Sequence, residues 1–186
     1  MLKSDVVVFR SFHQETDLLE DHQELHVVPG SFNPPHDGHW WLYDNIPTTK
    51  EVGSYFELSK ARVGKEDLSD DEVRSRVRLF QGKANVIVTQ APMFTDKYKV
   101  LKQFADKIVF HIGIDTYERL LKMDGLEVIE AMDDAKFCVY ARAGISLPSD
   151  APRNCYMGAP APAHLQNISS TLIRNGEMTL SGTVRS

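Results

Sequence analysis

Cysteine is scarce in this chain of 186 residues: Cys138 and Cys155 are the only two. Their spacing fits neither a zinc-ligand pattern nor a disulfide framework, and Cys138, inside an apolar run, reads as a small core residue. No apolar run approaches the ~18 residues of a membrane-spanning helix. The stretch Val6-Val7-Val8-Phe9 near the start is too short for a signal h-region. Nor is there a basic excess. The net charge is −5, and no segment gathers the Lys/Arg a nucleic-acid groove requires. What remains is the expectation of a soluble, cytoplasmic, reduced protein with neither nucleic acid nor membrane as partner. Its 42% hydrophobic and 25% charged residues are ordinary for a globular domain.

The order along the chain is legible from about residue 25. Apolar strand candidates begin near His26, Gly53, Asn85, Ile108 and Lys136, with a helical pattern after most of them. That alternation predicts βαβ units: a Rossmann-like three-layer α/β fold, its central parallel sheet of about five strands covered by helices on both faces. Asn85–Thr89 and Ile108–Ile114 are near-continuous apolar runs, as strands covered on both faces require. Ser69-Asp70-Asp71-Glu72 is a capping box, followed by an apolar stripe of Val73, Val77 and Phe80. Helices are also expected over Asp96–Ala105, over Asp115–Lys122, and from His39 to about Ile46, where Pro47 ends the run. Residues 1–24 read as an N-terminal extension or edge element, and 25–186 as one domain. Residues 143–166 hold Pro148, Pro152, Pro160 and Pro162 and read as loop, interrupted by a strand around Tyr156.

The segment with most chemistry is Val27-Val28-Pro29-Gly30-Ser31-Phe32-Asn33-Pro34-Pro35-His36-Asp37-Gly38-His39. It reads as a strand, a Gly/Pro loop and a helix start. The first amides of a helix lack intrahelical partners and the dipole is positive there, so such a junction takes anions. His36 and His39, three apart, face the same side of the first turn. Far downstream, Asn167-Ile168-Ser169-Ser170-Thr171-Leu172-Ile173-Arg174 offers hydroxyls at a second helix start with a cation close by.

Together, Gly30-x-Phe32-x-Pro34-x-His36-x-x-His39 and Ile168-Ser169-Ser170-Thr171-x-Ile173-Arg174 resemble the nucleotidyltransferase superfamily with an HxGH signature. Within it the pair is most similar to the nicotinamide/nicotinate mononucleotide adenylyltransferases. Gly113-Ile114-Asp115-Thr116 resembles that group's Gly-x-Asp segment. The stretch from Phe56-Glu57-Leu58-Ser59 through Lys65 to Arg78 resembles a divergent branch of it.

The resemblance implies adenylyl transfer from ATP to a mononucleotide phosphate, nicotinamide mononucleotide giving NAD, with release of pyrophosphate. The acceptor phosphate is itself the nucleophile and is mostly dianionic near neutrality, with a second pKa of about 6. No Ser-His-Asp set or carboxylate pair is therefore needed. By the same resemblance His36, His39 and Arg174 are catalytic. Gly30, Ser31, Phe32, His36, His39, Asp115, Ser169, Ser170, Thr171 and Arg174 bind ATP. Lys65, Trp40, Phe94 and Tyr98 are candidates for the acceptor side. Mg²⁺ arrives with ATP, held by phosphate and water, with no metal-ligand residues in the chain. Self-association into a homo-oligomer stays open.

Blander readings exist for the same residues. His36 and His39 serve equally as helix capping or half a zinc site, Ser169-Ser170-Thr171 as an N-cap cluster, and Asp115 as a cap for the following helix. Trp40 and Trp41 point about 100° apart on a helix, so at most one faces a given site. His111, inside an apolar strand, reads as a satisfied core histidine. Two other functions fit the pattern. One is the same chemistry on nicotinate mononucleotide, phosphopantetheine, FMN or glycerol phosphate. The other is a nucleotide-binding regulatory module without turnover. The central segment Arg62-Val63-Gly64-Lys65-Glu66-Asp67 departs from the family pattern, and only twelve residues follow Arg174.

Overall fold

The computed structural model describes residues 6–9, 15–16, 22–142 and 144–184. Eight strands and six α-helices are described: β1 (Val6–Phe9), β2 (Glu15–Thr16), β3 (His22–Pro29), α1 (Asp37–Asp44), β4 (Val52–Ser59), α2 (Asp70–Arg78) and β5 (Val86–Thr89), then α3 (Phe94–Leu101), β6 (Ala105–Gly113), α4 (Ile114–Met123), α5 (Leu126–Glu130), β7 (Ala135–Tyr140), β8 (Cys155–Met157) and α6 (Ser170–Arg174). The strands form one sheet in the order β2-β1-β5-β4-β3-β6-β7-β8. From β5 to β8 all neighbours run parallel, and β1 adds antiparallel to β5.

The expected α/β architecture is there, with more strands than the five foreseen. β1 and β2 extend one edge through the register Val7↔Val88, and β8 extends the other through Cys138↔Tyr156. Val6–Phe9 is therefore part of the sheet, while the polar residues 10–14 and 17–21 lie outside the described ones. β8 is the strand expected around Tyr156, whereas β2, two residues long, carries too little pattern to be read from periodicity.

The strand sequence β5-β4-β3-β6-β7 places the reversal of winding between β3 and β6. In open sheets of this kind the crevice forms outside the carboxyl ends of the strands at that point. Alternation along the strands builds the two faces. Val27, Tyr55 and Ile87 point into a cluster with α3, α4 and α5, whereas Val28, Phe56 and Val86 point into one with α1 and α2.

The capping box forms as expected. Glu72 donates its N–H to Ser69 Oγ at 3.2 Å, and Ser69 N–H returns to Glu72 Oε2 at 2.9 Å. Helix α3 is shorter than expected, ending at Leu101 where Ala105 was foreseen. The reason is competition from the sheet: Ala105 pairs with His22, whose N–H donates to the Phe104 carbonyl at 3.1 Å.

A line of buried polar side chains crosses the α1 face of the sheet. His26 Nδ1 and His111 Nε2 are 2.9 Å apart, and His111 Nδ1 lies 2.8 Å from Tyr140 Oη. His26 also contacts Glu24 at 3.2 Å. His111 thus has a partner on each ring nitrogen. Burial holds both histidines below their usual range, His111 to about 3, against the partly offsetting contact of Glu24 for His26. In the unfolded chain a histidine takes its proton near ~6.5. Their stabilising contribution is therefore fully present above that value and is lost as pH falls toward the folded values. The midpoint of thermal unfolding should drop steadily between about pH 7 and pH 5. A melting temperature unchanged across that range would contradict it.

Candidate active site

At the carboxyl ends of β3, β4 and β6 the structure opens a cleft of about 760 Å³, within the range of small-molecule sites. Its floor begins where β3 leaves the sheet. Gly30 donates its N–H to the Glu57 carbonyl at 2.9 Å, and a side chain on Gly30 would stand 2.7 Å from the Phe32 ring. Phe32 has φ of +45° and is completely buried, edge-on to His39, Phe56 and Phe80 at 5.0–5.3 Å between centroids. The loop thus bends over an aromatic pin.

His36 caps α1 and His39 follows in its first turn. Their rings stack at 3.8 Å between centroids. The His36 backbone N–H donates to His39 Nδ1 at 3.2 Å, so the neutral His39 ring carries its proton on Nε2. His36 Nδ1 is buried without a hydrogen-bond partner among the described residues. Burial, then the Arg142 guanidinium, lowers His36 to about 4; burial, then His36 and Arg142, lowers His39 to about 3. Both imidazoles are therefore neutral hydrogen-bonding groups near pH 7. Gly38 is required between them, because a Cβ there would meet the Ile168 methyl at 2.7 Å and the His36 ring at 3.1 Å. That contact clamps α1 to the segment before α6.

Ser169 and Ser170 line the cleft opposite the histidines. Ser169 Oγ caps α6 by accepting the Leu172 N–H at 3.2 Å, and Ser170 Oγ donates to the Pro34 carbonyl at 2.8 Å. Arg174 donates to the Asn33 carbonyl and, at 3.1 Å, to Thr171 Oγ1. Neither Arg174 nor Thr171 is part of the cleft wall; both tie α6 to the loop that carries the histidines. Asp115 opens α4 and faces the cleft, paired with Arg142 Nη1 at 3.1 Å.

The acceptor-side candidates divide. Lys65 and Phe94 line the cleft. Trp40 does not: its ring packs edge-on to Phe56 at 5.0 Å and beside Phe80 at 5.5 Å in the α1–α2 core. Tyr98 likewise packs against the other core cluster and is absent from the wall. Both corrections have one cause. An amphipathic helix turns its aromatic stripe to the core, and Trp40 and Tyr98 lie on that stripe while their chain neighbours His39 and Lys97 face the cleft.

Among the lining residues not singled out from sequence, four charged ones stand out. Arg76 donates to the Ser31 carbonyl at 2.8 Å. Arg142 follows β7 and faces both histidines and Asp115. Glu57 and Lys97 form a buried pair with Nζ–Oε1 of 3.1 Å. Two of these carried a signal. Glu57 is the single charged residue of β4, and Lys97 falls on the buried stripe of α3 with Leu101.

In all, Arg62, Lys65, Arg76, Lys97, Arg119 and Arg142 line the cleft, against Glu57, Asp115 and Glu118. The surplus is positive in a chain whose net charge is negative, the electrostatic form of an anion site. Among the described residues no group of three or more His, Cys, Asp or Glu is placed to hold a metal ion. In those residues no helix is long and apolar enough to cross a membrane.

No protein-family model matches the chain, and no curated protein matches it in sequence. Among solved structures it is similar to Plasmodium falciparum nicotinic acid mononucleotide adenylyltransferase complexed with NaAD. The TM-score is 0.61 at 14% identity, over 84% of this chain and 85% of that one. The Plasmodium falciparum enzyme complexed with APC gives a TM-score of 0.59 at 13% identity, over the same shares. At such identities the likeness is one of fold: a Rossmann-like α/β domain with its crevice at the β3–β6 reversal.

Proposed function

We propose that the protein is a nucleotidyltransferase that moves the adenylyl group of ATP onto the phosphate of a pyridine mononucleotide, releasing pyrophosphate. The observation that carries this is the paired imidazoles at the start of α1, facing Ser169 and Ser170 across a cationic cleft. The fold shared with a nicotinic acid mononucleotide adenylyltransferase supports it.

The acceptor phosphate oxygen attacks the α-phosphorus, a new P–O bond forms, and the bond to the bridging oxygen of pyrophosphate breaks. The protein supplies alignment and charge stabilisation, since the nucleophile is already ionised. His39 donates from Nε2 to the α-phosphate oxygens as charge develops. His36 donates beside it, and the amides of Ser31 and Phe32 line the phosphate loop. Arg142 and Arg76 supply fixed charge, while Asp115 accepts from ribose hydroxyls. Arg174 acts as a positioning residue through the Asn33 carbonyl. Mg²⁺ bound with the nucleotide would neutralise phosphate charge, the described residues offering no ligand group of their own for it.

Incubation with ATP, Mg²⁺ and a panel of phosphomonoesters, following pyrophosphate release, tests the reading. Turnover of either pyridine mononucleotide is expected. Turnover confined to phosphopantetheine, FMN or glycerol phosphate would overturn the acceptor class, and nucleotide binding with no turnover on any acceptor would overturn the transferase reading. The pH dependence separates the roles further. With His36 and His39 at about 4 and about 3, neither should titrate in kcat/KM near neutrality. The acidic limb should fall near ~6 and belong to the acceptor phosphate, which becomes a poorer nucleophile on protonation. The limb should stay in place in a His36→Gln variant. A shift there would return the limb to the histidine.

A further inference from the structure

The first turn of α1 is held from outside by a segment far along the chain. After α6, residues 178–184 fold back on themselves as a small hairpin. Met178 bridges Val184 in the antiparallel sense, the Thr179 N–H donates to the Thr183 carbonyl at 2.8 Å, and the Gly182 N–H donates to the Thr179 carbonyl at 3.1 Å. Within this hairpin the Leu180 carbonyl accepts the Asp37 N–H at 3.0 Å. Asp37 is the first residue of α1, so its amide has no acceptor inside the helix. A backbone carbonyl from residue 180 satisfies it, one position from His36 and two from His39.

The hairpin has few anchors of its own. Met178 is buried in a cluster with Leu165, Ile168 and Trp41, the last of them on α1, while Leu180 and Val184 are exposed. Gly182 has φ of +86° and lies against the His164 carbonyl, where a Cβ would collide with the oxygen. Glycine is needed there on both counts. A segment with so little buried surface opens at lower cost than the sheet does. Yet it is placed to decide where the histidine turn sits.

We propose that residues 178–184 are a strap that positions His36 and His39: the Leu180 carbonyl fixes the Asp37 amide, and Gly182 lets the strap lie close enough to reach it. The consequence for rate rests on the function proposed above. Leu180 and Gly182 are positioning residues that act through the α1 backbone, and neither is part of the cleft wall. Alignment is what such a reaction asks of its donors, and a displacement of about 1 Å is enough to cost much of the rate. On the same reading attraction for ATP lies in the cationic wall, to which the strap contributes nothing. Loosening the strap should therefore lower kcat and leave ATP affinity nearly unchanged.

Two substitutions test this from opposite ends of the contact. Asp37→Pro deletes the donor, and the backbone suits it: proline is favoured at the first position of a helix, and His36 before it is already extended. Asp37→Ala is its partner, since it loses the same carboxylate and keeps the N–H. With ATP and Mg²⁺, kcat of Asp37→Pro should be about 10- to 100-fold below that of Asp37→Ala, with calorimetric ATP affinities within about 3-fold of each other. Equal kcat in the two, or an equal loss of kcat and affinity, would overturn the proposal. Gly182→Ala displaces the strap from the other side and is read without turnover. Its Asp37 amide should exchange with solvent at least ~10-fold faster than in the wild type while the amides of β6 stay protected, and the imidazole nitrogen NMR signals of His36 and His39 should shift. An unchanged Asp37 exchange rate, or unmoved histidine signals, would overturn the strap even if the protein proved to be a transferase. A wild type with no turnover on any acceptor would sink the transferase reading, and the exchange rate and ring signals would still judge the strap. Should Gly182→Ala fail to fold, the Asp37 pair decides.

Discussion

Replacing His39 with alanine should lower kcat by about 10²–10³-fold while weakening ATP binding far less. The expected asymmetry comes from how the ring is held. Its Nδ1 is occupied by the His36 backbone N–H, its edge lies against Phe32 at 5.1 Å, and burial keeps it neutral. In the proposed reaction a neutral donor held in this way would need little rearrangement as charge accumulates on the phosphate, and its contact would strengthen most in the transition state. On the proposed function, ground-state attraction for ATP would come instead from the arginines and lysines of the wall, which His39→Ala leaves alone. Single-turnover rates and calorimetric affinity on the same variant check this. Equal losses in both would mean the histidine only binds.

The second large effect is on stability. Phe32→Ala should cost about 3–5 kcal/mol, read as a fall in the denaturant midpoint with little change in slope. The ring is wholly buried among His39, Phe56 and Phe80, and little around it is free to fill the space. The same substitution should lower kcat, because the ring that braces His39 is gone. Phe80→Leu, in the same cluster but away from His39, should lose stability with a smaller loss of rate. If Phe32→Ala proved as stable as the wild type, the loop would not depend on its aromatic pin.

The two effects meet in residues whose importance was visible from sequence to different degrees. The Gly30–His39 segment was legible because its chemistry is local. A strand end, a loop of glycine and prolines, and two histidines three apart define a helix-start anion site within a dozen residues. Ser69 and Glu72 were legible for the same reason, as a capping box needs no partner beyond its own turn. The short strands β1 and β2 were hard to place because β1 is held by β5, distant in the chain, whereas β8 falls where a strand around Tyr156 was expected.

The site shows the same division. Sequence alone brought His36, His39, Ser169, Ser170 and Asp115 forward as phosphate and ribose contacts, and the fold places all five on one cleft. It could not tell which aromatics face that cleft, since Trp40, Phe94 and Tyr98 look alike until helix packing decides which stripe the sheet covers. It also could not find a basic surface, because the cleft's cations are scattered from Arg62 to Arg142 in a chain of net charge −5.

Local chemistry along the backbone thus determined the fold class, the glycine–proline loop after β3 and the two histidines. Tertiary structure decided the sign of the cleft's charge, the neutrality of those histidines and the buried Glu57–Lys97 pair. The physical reason is that burial and through-space charge depend on residues far apart in the chain, which only the parallel crossovers bring to the same end of the sheet.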